Sequence, residues 1–266
     1  MDATAIAAEL AALNENGGLA PPFSRRDPPL APACAAAAAR RLHERRLAAG
    51  WRPRGRKIGF TNRTLWPRYG VFEPIWGFVY DRTLIEAAQN RAVVPLAGLA
   101  QPRIEPEIAF GLKRAPAAAD PHSLVAAIDW VAHAVEIVQC HHPGWAVALA
   151  DAIADNGLHG RLVLGAPMPA HALGDLAASL PSASVELRRD EALVERGRGE
   201  NVLGSPLAAL GWLVEALARD PQAPPLAAGD VVSTGTLTDA HPVAAGERWR
   251  TRFDGIALPG LEIAFA

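Results

Sequence analysis

Several residue types and patterns are scarce in this sequence, and each scarcity excludes a class of protein. Its 266 residues include two cysteines, Cys34 and Cys140, which are too few for a disulfide framework and match no zinc-ligand spacing. No run of about 18 apolar residues is present, so we expect no membrane span. The formal net charge of −2 gives no electrostatic basis for binding nucleic acid or an anionic membrane.

The remaining composition is that of a globular protein with a sizeable core. Hydrophobic residues make up 50% of the chain and charged residues 20%, which argues against disorder of the whole chain. The first residues carry Asp2 and Glu9 where a signal peptide would carry basic residues before an apolar segment. We therefore expect no signal peptide, and the few cysteines suit the reducing environment of the cytoplasm.

Lysine is the scarcer of the two basic residue types. Of the 26 lysines and arginines, only Lys57 and Lys113 are lysines. Arginine stays protonated in proteins, whereas a buried lysine can lose its proton and act in acid–base chemistry. Two interpretations of Lys57, in the stretch "GRKIGF", stay open at this point: a catalytic lysine, or a lysine present by chance or for local packing.

The chain is predicted to be an α+β protein, with a small helical N-terminal region over residues 1–50 and a strand-rich body over residues 51–266. In the first region, apolar residues recur at helical spacing. The proline-rich segment 21–32 separates two helices, and the second, over 33–49, is predicted to end at Gly50.

The body alternates between strand and helix signals. Helices are predicted over 119–135 and 205–220, where Asp120 and Ser205 act as caps and are each followed by proline. Short runs rich in β-branched residues predict strands at about 161–164, 183–188, 230–233, 248–253 and 261–265.

Two glutamates stand two residues apart in the apolar stretch "QPRIEPEIAF". On a strand, Glu105 and Glu107 share one face, while Ile104 and Ile108 point to the core. Carboxylates this close repel unless a cation lies between them, and oxygen ligands suit Mg²⁺, Mn²⁺ or Ca²⁺ better than zinc. The alternative is a solvent-facing pair neutralised by arginines. Pro106 predicts an edge strand or a bulge at this point.

A third acid, Glu136, stands in the apolar run "AVEIVQC", where we predict that it follows a helix and opens a strand. It is a candidate third metal ligand, with a helix-terminal residue facing water as the alternative.

Seven segments together resemble the 2-keto-4-pentenoate hydratase and 4-oxalocrotonate decarboxylase group of the fumarylacetoacetate hydrolase superfamily. They run in the family's order from about residue 50 to the C-terminus. The segments are "GRKIGFT", "GVFEPIWGFVYD", "QPRIEPEIAF", "VEIVQC", "LADAIADNGLHGRLVLG", "GRGENVLGSPLAALGWL" and "GDVVSTGTLT". The resemblance implies a mixed β-roll or barrel body of the family's C-terminal type.

The resemblance also implies a role for each matching residue. The implied metal ligands for Mg²⁺ or Mn²⁺ are Glu105, Glu107 and Glu136. The implied catalytic residues are Lys57 and, as its partner, Asp81; a neighbouring metal is expected to depress the pKa of Lys57. The implied substrate-binding residues are Arg103, Asp155, Asn156 and Thr234.

The implied activity is metal-dependent hydration of a 2-keto-4-pentenoate-like substrate, a small 2-keto-enoate, in aromatic catabolism. Decarboxylation of the 4-oxalocrotonate type, acylpyruvate-type hydrolysis and an inactive partner subunit are the alternatives. Relatives form homo-oligomers, and decarboxylases and hydratases associate, so we expect a homo-oligomer with a possible partner enzyme. The chain departs from many hydratases at residues 157–159, and the roles of His141, His142 and His159 stay open.

Overall fold

A computed structural model describes the backbone of residues 1–266 and the side chains of all of them except residues 65, 68 and 69. The helices are α1 (Ala3–Asn16), α2 (Pro32–Ala48), α3 (Trp66–Tyr69), α4 (Pro121–Ala127), α5 (Leu149–Ala154), α6 (Leu176–Ser182) and α7 (Pro206–Arg219). Among the described residues, no helix combines the length and apolarity needed to cross a bilayer.

The strands are β1 (Pro53–Gly59), β2 (Ile75–Tyr80), β3 (Leu84–Glu86), β4 (Arg91–Val94), β5 (Arg103–Leu112), β6 (Ile128–Val138), β7 (His159–Leu164), β8 (Met168–Pro169), β9 (Ser184–Arg189), β10 (Ala192–Arg198), β11 (Val231–Thr236), β12 (His241–Pro242), β13 (Arg248–Asp254) and β14 (Glu262–Phe265). They include the five strands that the sequence predicts between residues 161 and 265, with bounds that differ by at most three residues.

The N-terminal helices form a small core of their own and attach to the body through α5. Helix α1 begins at Asp2, whose side chain accepts a hydrogen bond from the Thr4 N–H, and ends at Gly17 in a left-handed conformation. Its buried Leu10 packs with Leu42 of α2 in a cluster that includes Ala154 of α5. The predicted helix over 33–49 is confirmed.

The body is built on two mixed sheets. The larger sheet has the strand order β2-β1-β11-β5-β6-β7-β3, with β12 beside β5 and β8 beside β6. The smaller sheet has the order β10-β9-β13-β14-β4. One apolar core joins the two sheets and includes Ile104, Ile137, Leu187 and Trp249. A second core covers the larger sheet with α4, α6 and α7. The α+β class that the sequence predicts is confirmed.

The predicted helix over 119–135 is wrong in its second half. Asp120 caps α4 as expected, but this helix ends at Ala127 and the chain continues directly as β6. From Ile128 onward, the segment pairs with β5; it also pairs with β8 at Trp130 and Val131 and with β7 from Ala134, and from Val131 it is buried. Alanine-rich segments satisfy a helical spacing, but pairing with two neighbouring strands overrides that local preference. Glu136 therefore lies within a strand and does not follow a helix.

The strand beside the E-x-E strand carries an irregularity. Strand β5 is central in the sheet, so the predicted edge position of Pro106 is wrong. The register between β11 and β5 shifts between Ser233 and Thr236, which places two residues of β11 opposite Ile108 alone. This is the geometry of a bulge. Gly235 occupies it with φ at 101°, and a Cβ atom there would lie 1.9 Å from Thr61 Oγ1.

Leu10→Ala is expected to lower the free energy of unfolding by about 2–5 kcal/mol, because it leaves a cavity in the core shared by α1 and α2. Urea unfolding followed by circular dichroism measures this change. The matched control is Leu19→Ala, because the Leu19 side chain is 51% exposed, and it is expected to shift stability by less than about 0.5 kcal/mol. Equal destabilisation by both variants would contradict the packing described for α1.

Candidate metal centre and active site

Three glutamates meet at the centre of the larger sheet. Glu105 and Glu107 lie on one face of β5 because side chains alternate along a strand. Glu136 of β6 is the residue paired directly with Glu105 across the strands. One carboxylate oxygen from each residue lies within 4.8 Å of the others, and Glu107 and Glu136 are fully buried. The E-x-E motif and the third acid therefore form one cluster, as the sequence predicts.

Neighbouring polar groups hold one oxygen of each buried carboxylate. Glu107 Oε2 accepts hydrogen bonds from the Ser233 hydroxyl and, at 2.9 Å, from the Gly235 N–H. Its other oxygen, Oε1, is buried without a hydrogen-bond partner among the described groups. Glu136 Oε1 lies 2.7 Å from His159 Nδ1, and His159 Nε2 lies 2.8 Å from the Thr83 hydroxyl. These contacts to one oxygen of each carboxylate fix the orientation of Glu107 and Glu136.

Lys57 is the cation inside this cluster. Strand β1 carries it on the side of the carboxylates, with its Nζ 3.0 Å from Glu136 Oε2. The same Nζ donates a hydrogen bond of 2.9 Å to the Gly157 carbonyl. The side chain is 2% exposed, so this lysine is held by protein groups and is shielded from bulk water. Of the two interpretations of Lys57, its placement favours the catalytic one.

The pKa values in the cluster follow from burial and from the close packing of like charges. Burial raises the pKa of Glu105 to about 8, and the nearby charge of Glu136 adds to this. Burial and Glu136 likewise raise the pKa of Glu107 to about 8. Burial alone would lower the pKa of Lys57, but the charges of Glu136, Glu105 and Glu107 outweigh it and raise the pKa. Without a metal, Lys57 is therefore an ammonium group, in contrast to the depressed pKa expected beside a bound metal.

The cluster fits a divalent cation on three observations. Its donors are carboxylate oxygens, which suit Mg²⁺ or Mn²⁺. Two oxygens bound to one ion at about 2.0–2.6 Å each lie at most about 4–5 Å apart, in line with the 4.8 Å spread of the ligand atoms. The unpartnered Glu107 Oε1 supplies a buried acceptor that needs a partner. A dication at Glu105, Glu107 and Glu136 would also stabilise the charged forms of these buried carboxylates, whose pKa values burial raises.

A small cavity opens beside the cluster. Lys57 and Glu105 form part of its wall, so a molecule inside it contacts both the lysine and one carboxylate of the cluster. The apolar part of the wall comes from Phe60, Ile75, Trp145 and Leu158, and the polar part from Thr61, Asn62 and Thr236. Such a mixed wall suits a small ligand with an apolar chain and a polar end.

Asp81, predicted as the catalytic partner of Lys57, is not brought to this cluster. It is exposed at the turn after β2, where its side chain accepts a hydrogen bond from the Arg52 N–H. The residue of β2 that pairs with Lys57 is Gly77, four residues earlier. The groups beside Lys57 Nζ are Glu136 and the Gly157 carbonyl, so the geometry does not support the role predicted for Asp81.

The four predicted substrate-binding residues have partners within the protein. Asp155 is buried and lies 2.6 Å from His141 Nδ1. Asn156 bonds the backbone of Phe78 at both its N–H and its carbonyl, and Thr234 donates to the Ile108 carbonyl. Arg103 stacks on Trp145, with its guanidinium carbon 4.2 Å from the ring centroid, so it adjoins the cavity wall. Of the four residues, Arg103 is the one whose position best fits the predicted role in substrate binding.

Sequence reasoning missed two residues that hold the glutamates, Ser233 and His159. The bulge in β11 explains why Ser233 and Thr236 face Glu107 while Thr234, between them, does not. The motif "STGT" contains all of these residues, but the register shift is set by pairing with β5 and cannot be read from the motif alone. His159 stood out only as a departure from the family pattern, and its partner Glu136 lies 23 residues away in sequence.

Glu107→Gln is expected to weaken Mg²⁺ binding by more than about 100-fold, because it removes a charged ligand, whereas loss of a residue that only orients a ligand costs 10–100-fold. Isothermal titration calorimetry of the metal-free protein measures this affinity. The control Glu86→Gln changes an exposed glutamate of β3 and is expected to leave the affinity unchanged. Unaltered Mg²⁺ binding by Glu107→Gln would show that the cluster is not the metal site.

The affinity for Mg²⁺ is expected to rise with pH between 6 and 8. The pKa values of Glu105 and Glu107 are about 8 in the metal-free protein, so their protonated forms predominate below that pH and must lose protons when a cation binds. Each proton released changes the apparent affinity by up to about tenfold per pH unit. Titrations in buffers of different ionisation enthalpy count the released protons. A pH-independent affinity would contradict the raised pKa values.

Curated relatives of the chain are hydratases. It is 34% identical over 213 residues to 2-keto-4-pentenoate hydratase 1 of Dechloromonas aromatica (strain RCB), which covers 79% of this chain and 77% of the relative. It is also 34% identical over 226 residues to 2-hydroxyhexa-2,4-dienoate hydratase of Comamonas testosteroni, covering 83% of each chain.

A solved structure matches the fold over nearly its whole length. The 4-oxalocrotonate decarboxylase from Pseudomonas putida G7, complexed with magnesium and adipate, superposes with a TM-score of 0.88 at 26% identity, covering 99% of this chain and 97% of that chain. The fumarylpyruvate hydrolase from Pseudomonas aeruginosa, at 15% identity and a TM-score of 0.62, shares the fold alone.

The family model "Fumarylacetoacetate (FAA) hydrolase C-terminal" matches residues 70–258, which include the three glutamates. Together with the hydratase relatives, this match confirms the resemblance of the seven sequence segments. The chain belongs to the fumarylacetoacetate hydrolase family of enzymes, in the group of the 2-keto-4-pentenoate hydratases and 4-oxalocrotonate decarboxylases.

Proposed function

We propose that the protein is a divalent-metal-dependent hydro-lyase that adds water to a 2-hydroxy-2,4-dienoate of the 2-keto-4-pentenoate type. The observation that carries the proposal is the buried Lys57 beside the glutamate cluster, with Lys57 and Glu105 lining one small cavity. The hydratase names of relatives at 34% identity support the reaction type. The proposed metal ligands are Glu105, Glu107 and Glu136, with Mg²⁺ or Mn²⁺ as the ion.

When bound, the cation supplies Lewis-acid chemistry: it polarises the 2-oxo group of the substrate so that negative charge developing there is stabilised. The position of the glutamates is set by β5 and β6, which are paired along their length. Two of the carboxylates are oriented by Ser233, Gly235 and His159. Such preorganisation avoids reorganisation of the site during the reaction.

Lys57 is proposed to move the proton. Its ammonium has three N–H donors, and the contacts with Glu136 and Gly157 use two of them. Because Lys57 lines the cavity, the third is available to a substrate there. We assign to it the delivery of a proton to the substrate carbon as the dienol becomes a ketone, while the proton of the 2-hydroxyl group is released to water. Glu136 stabilises the ammonium before the transfer.

The cavity wall suits the substrate class. Phe60, Ile75 and Trp145 offer apolar surface to the hydrocarbon chain of a dienoate. Arg103, stacked on Trp145, places a cation near the cavity and is proposed to attract the carboxylate of the substrate. Thr61, Asn62 and Thr236 are proposed to hydrogen-bond the polar end or the added water.

Decarboxylation of a 4-oxalocrotonate-type substrate is the second candidate. The match to the 4-oxalocrotonate decarboxylase, with a TM-score of 0.88 over 99% of this chain, favours it. The two reactions share the same electron sink, since both need negative charge to be stabilised at the 2-oxo group. Decarboxylation releases CO₂ from the substrate, whereas hydration adds water to it. The substrate that is consumed therefore distinguishes the two reactions.

A metal-dependent assay tests the proposal. The protein is stripped with EDTA and dialysed, Mg²⁺ or Mn²⁺ is added back, and 2-hydroxypenta-2,4-dienoate and 4-oxalocrotonate are followed separately by ultraviolet absorbance. Loss of the dienoate absorbance that depends on added metal is expected. Turnover of 4-oxalocrotonate alone would establish the decarboxylase. If neither substrate is consumed although the metal binds, the hydro-lyase proposal fails.

Lys57→Met is expected to lower kcat by about 10²–10⁴-fold, because it removes the proposed proton donor while keeping a chain of similar length. Calorimetry is expected to show that the variant still binds Mg²⁺. Lys113→Met is the matched control, since Lys113 is exposed and is the other lysine of the chain, and its kcat is expected to stay unchanged. Wild-type turnover by Lys57→Met would overturn the assignment.

We further infer a cytoplasmic homo-oligomer that can associate with a decarboxylase or hydratase partner. The free cysteines Cys34 and Cys140 support a reducing compartment. Strand β4 is the last strand of the smaller sheet and exposes 66% of Val93, which supports a contact with another chain at this edge.

A further inference from the structure

A second cavity lies between the N-terminal helices and the larger sheet. It has a volume of about 550 Å³, within the range of about 300–1,000 Å³ that is usual for ligand pockets. Helix α1, helix α2, the turn after β2 and the start of β7 contribute its wall.

The wall of this cavity is strongly basic. Four arginines line it, Arg45, Arg46, Arg82 and Arg161, against one acid, Glu15. In the part of the chain whose side chains are described, none of the four arginines lies within 4.0 Å of a carboxylate oxygen, whereas Arg26, Arg41 and Arg196 form such pairs. The cavity therefore concentrates positive charge that the protein itself leaves without a counter-ion.

Arg46 is the most buried of the four. Only 8% of it is exposed, and its NH2 group donates a hydrogen bond of 3.2 Å to Asn14 Oδ1. A guanidinium group taken out of water costs free energy unless a negative charge lies near it. Burial also lowers the pKa of Arg161, and the nearby charge of Arg46 lowers it further. An anion in the cavity would relieve both penalties.

Aromatic rings hold two of the guanidinium groups in place. The Arg46 guanidinium carbon lies 5.3 Å from the Trp51 ring centroid and 5.1 Å from that of Tyr80. The Arg82 guanidinium carbon lies 5.5 Å from the Trp51 ring, and its NH2 group donates to the Ala49 carbonyl. Stacking of this kind fixes the planar donor groups before a ligand arrives.

We infer that this cavity is a binding site for a small anion with two or more carboxylate or phosphate groups. Arginine presents paired N–H donors that match the oxygens of either group. The wall also offers polar side chains in Asn14, Thr83 and Gln139, which suit the remaining oxygens of such a ligand. A neutral or cationic ligand would leave the four arginines without compensation.

The site is separate from the metal centre but adjoins it. His159 and Thr83 lie in its wall, and His159 Nδ1 contacts Glu136 Oε1 on the other side. One imidazole ring therefore stands between the basic cavity and the third carboxylate. The inference does not depend on which reaction the enzyme catalyses, because binding can be measured without substrate or metal.

Calorimetric titration of pyrophosphate and, separately, of citrate into the metal-free full-length protein tests the inference. Without a metal, the glutamate cluster is unsuited to anions, so binding reports on the basic cavity. Saturable binding of at least one probe is expected, and it should weaken as ionic strength rises. The preferred probe distinguishes a phosphate ligand from a carboxylate ligand. If neither probe binds at millimolar concentration, the inference is wrong.

Arg82→Ala and Arg161→Ala are each expected to weaken binding of the preferred probe by about tenfold, the effect of losing one charge-assisted hydrogen bond. Arg41→Ala is the matched control, because Arg41 lies on α2 as Arg45 and Arg46 do but pairs with Glu44. It is expected to bind as the wild type does, and so is Lys57→Met. Thermal melting confirms that each variant is folded. If both cavity variants bind as tightly as wild type while the probe still binds, the ligand lies elsewhere and the inference is overturned.

Discussion

The repulsion among three buried carboxylates is the constraint on which the rest of this structure depends. Like charges within a few ångströms are tolerated in a protein interior only when the surroundings fix and compensate them. Here part of the compensation comes from the ammonium of Lys57, at 3.0 Å from Glu136, and the charge of Arg103 also acts on Glu105. Burial and the nearby charge of Glu136 still raise the pKa values of Glu105 and Glu107 to about 8. A site in which acidic groups outnumber the nearby cations suits the binding of a further cation.

Much of the fold serves to hold the three glutamates in fixed positions. The glutamates lie on two paired strands, and the third strand beside them contributes a hydroxyl and an N–H through its bulge. The N-terminal helices are linked to the same site through hydrogen bonds. Asn14 of α1 donates to Asp155, which begins the turn whose Gly157 carbonyl holds Lys57. The helical region therefore helps to position Lys57 beside the glutamates.

The features that sequence reasoning predicted correctly depend on local pattern. Strand alternation was enough to place Glu105 and Glu107 on one face, and the scarcity of lysine drew attention to Lys57. Features that arise from pairing between distant segments were not predicted. Strand β6 looked helical because its alanines fit both periods, and only the flanking strands decide between them. The contact between His159 and Glu136, and the position of Asp81 away from the glutamates, follow from how the strands pair. A motif match carries no information about that pairing.

The near absence of lysine has a practical consequence for chemical labelling. An amine-reactive reagent finds two side-chain targets in this chain, Lys57 and Lys113, besides the terminal amine. Lys113 is exposed and reacts freely, whereas Lys57 is shielded and ion-paired. Acylation at Lys57, measured by mass spectrometry relative to Lys113 as an internal standard, therefore reports how often the active site opens to solvent in the native protein.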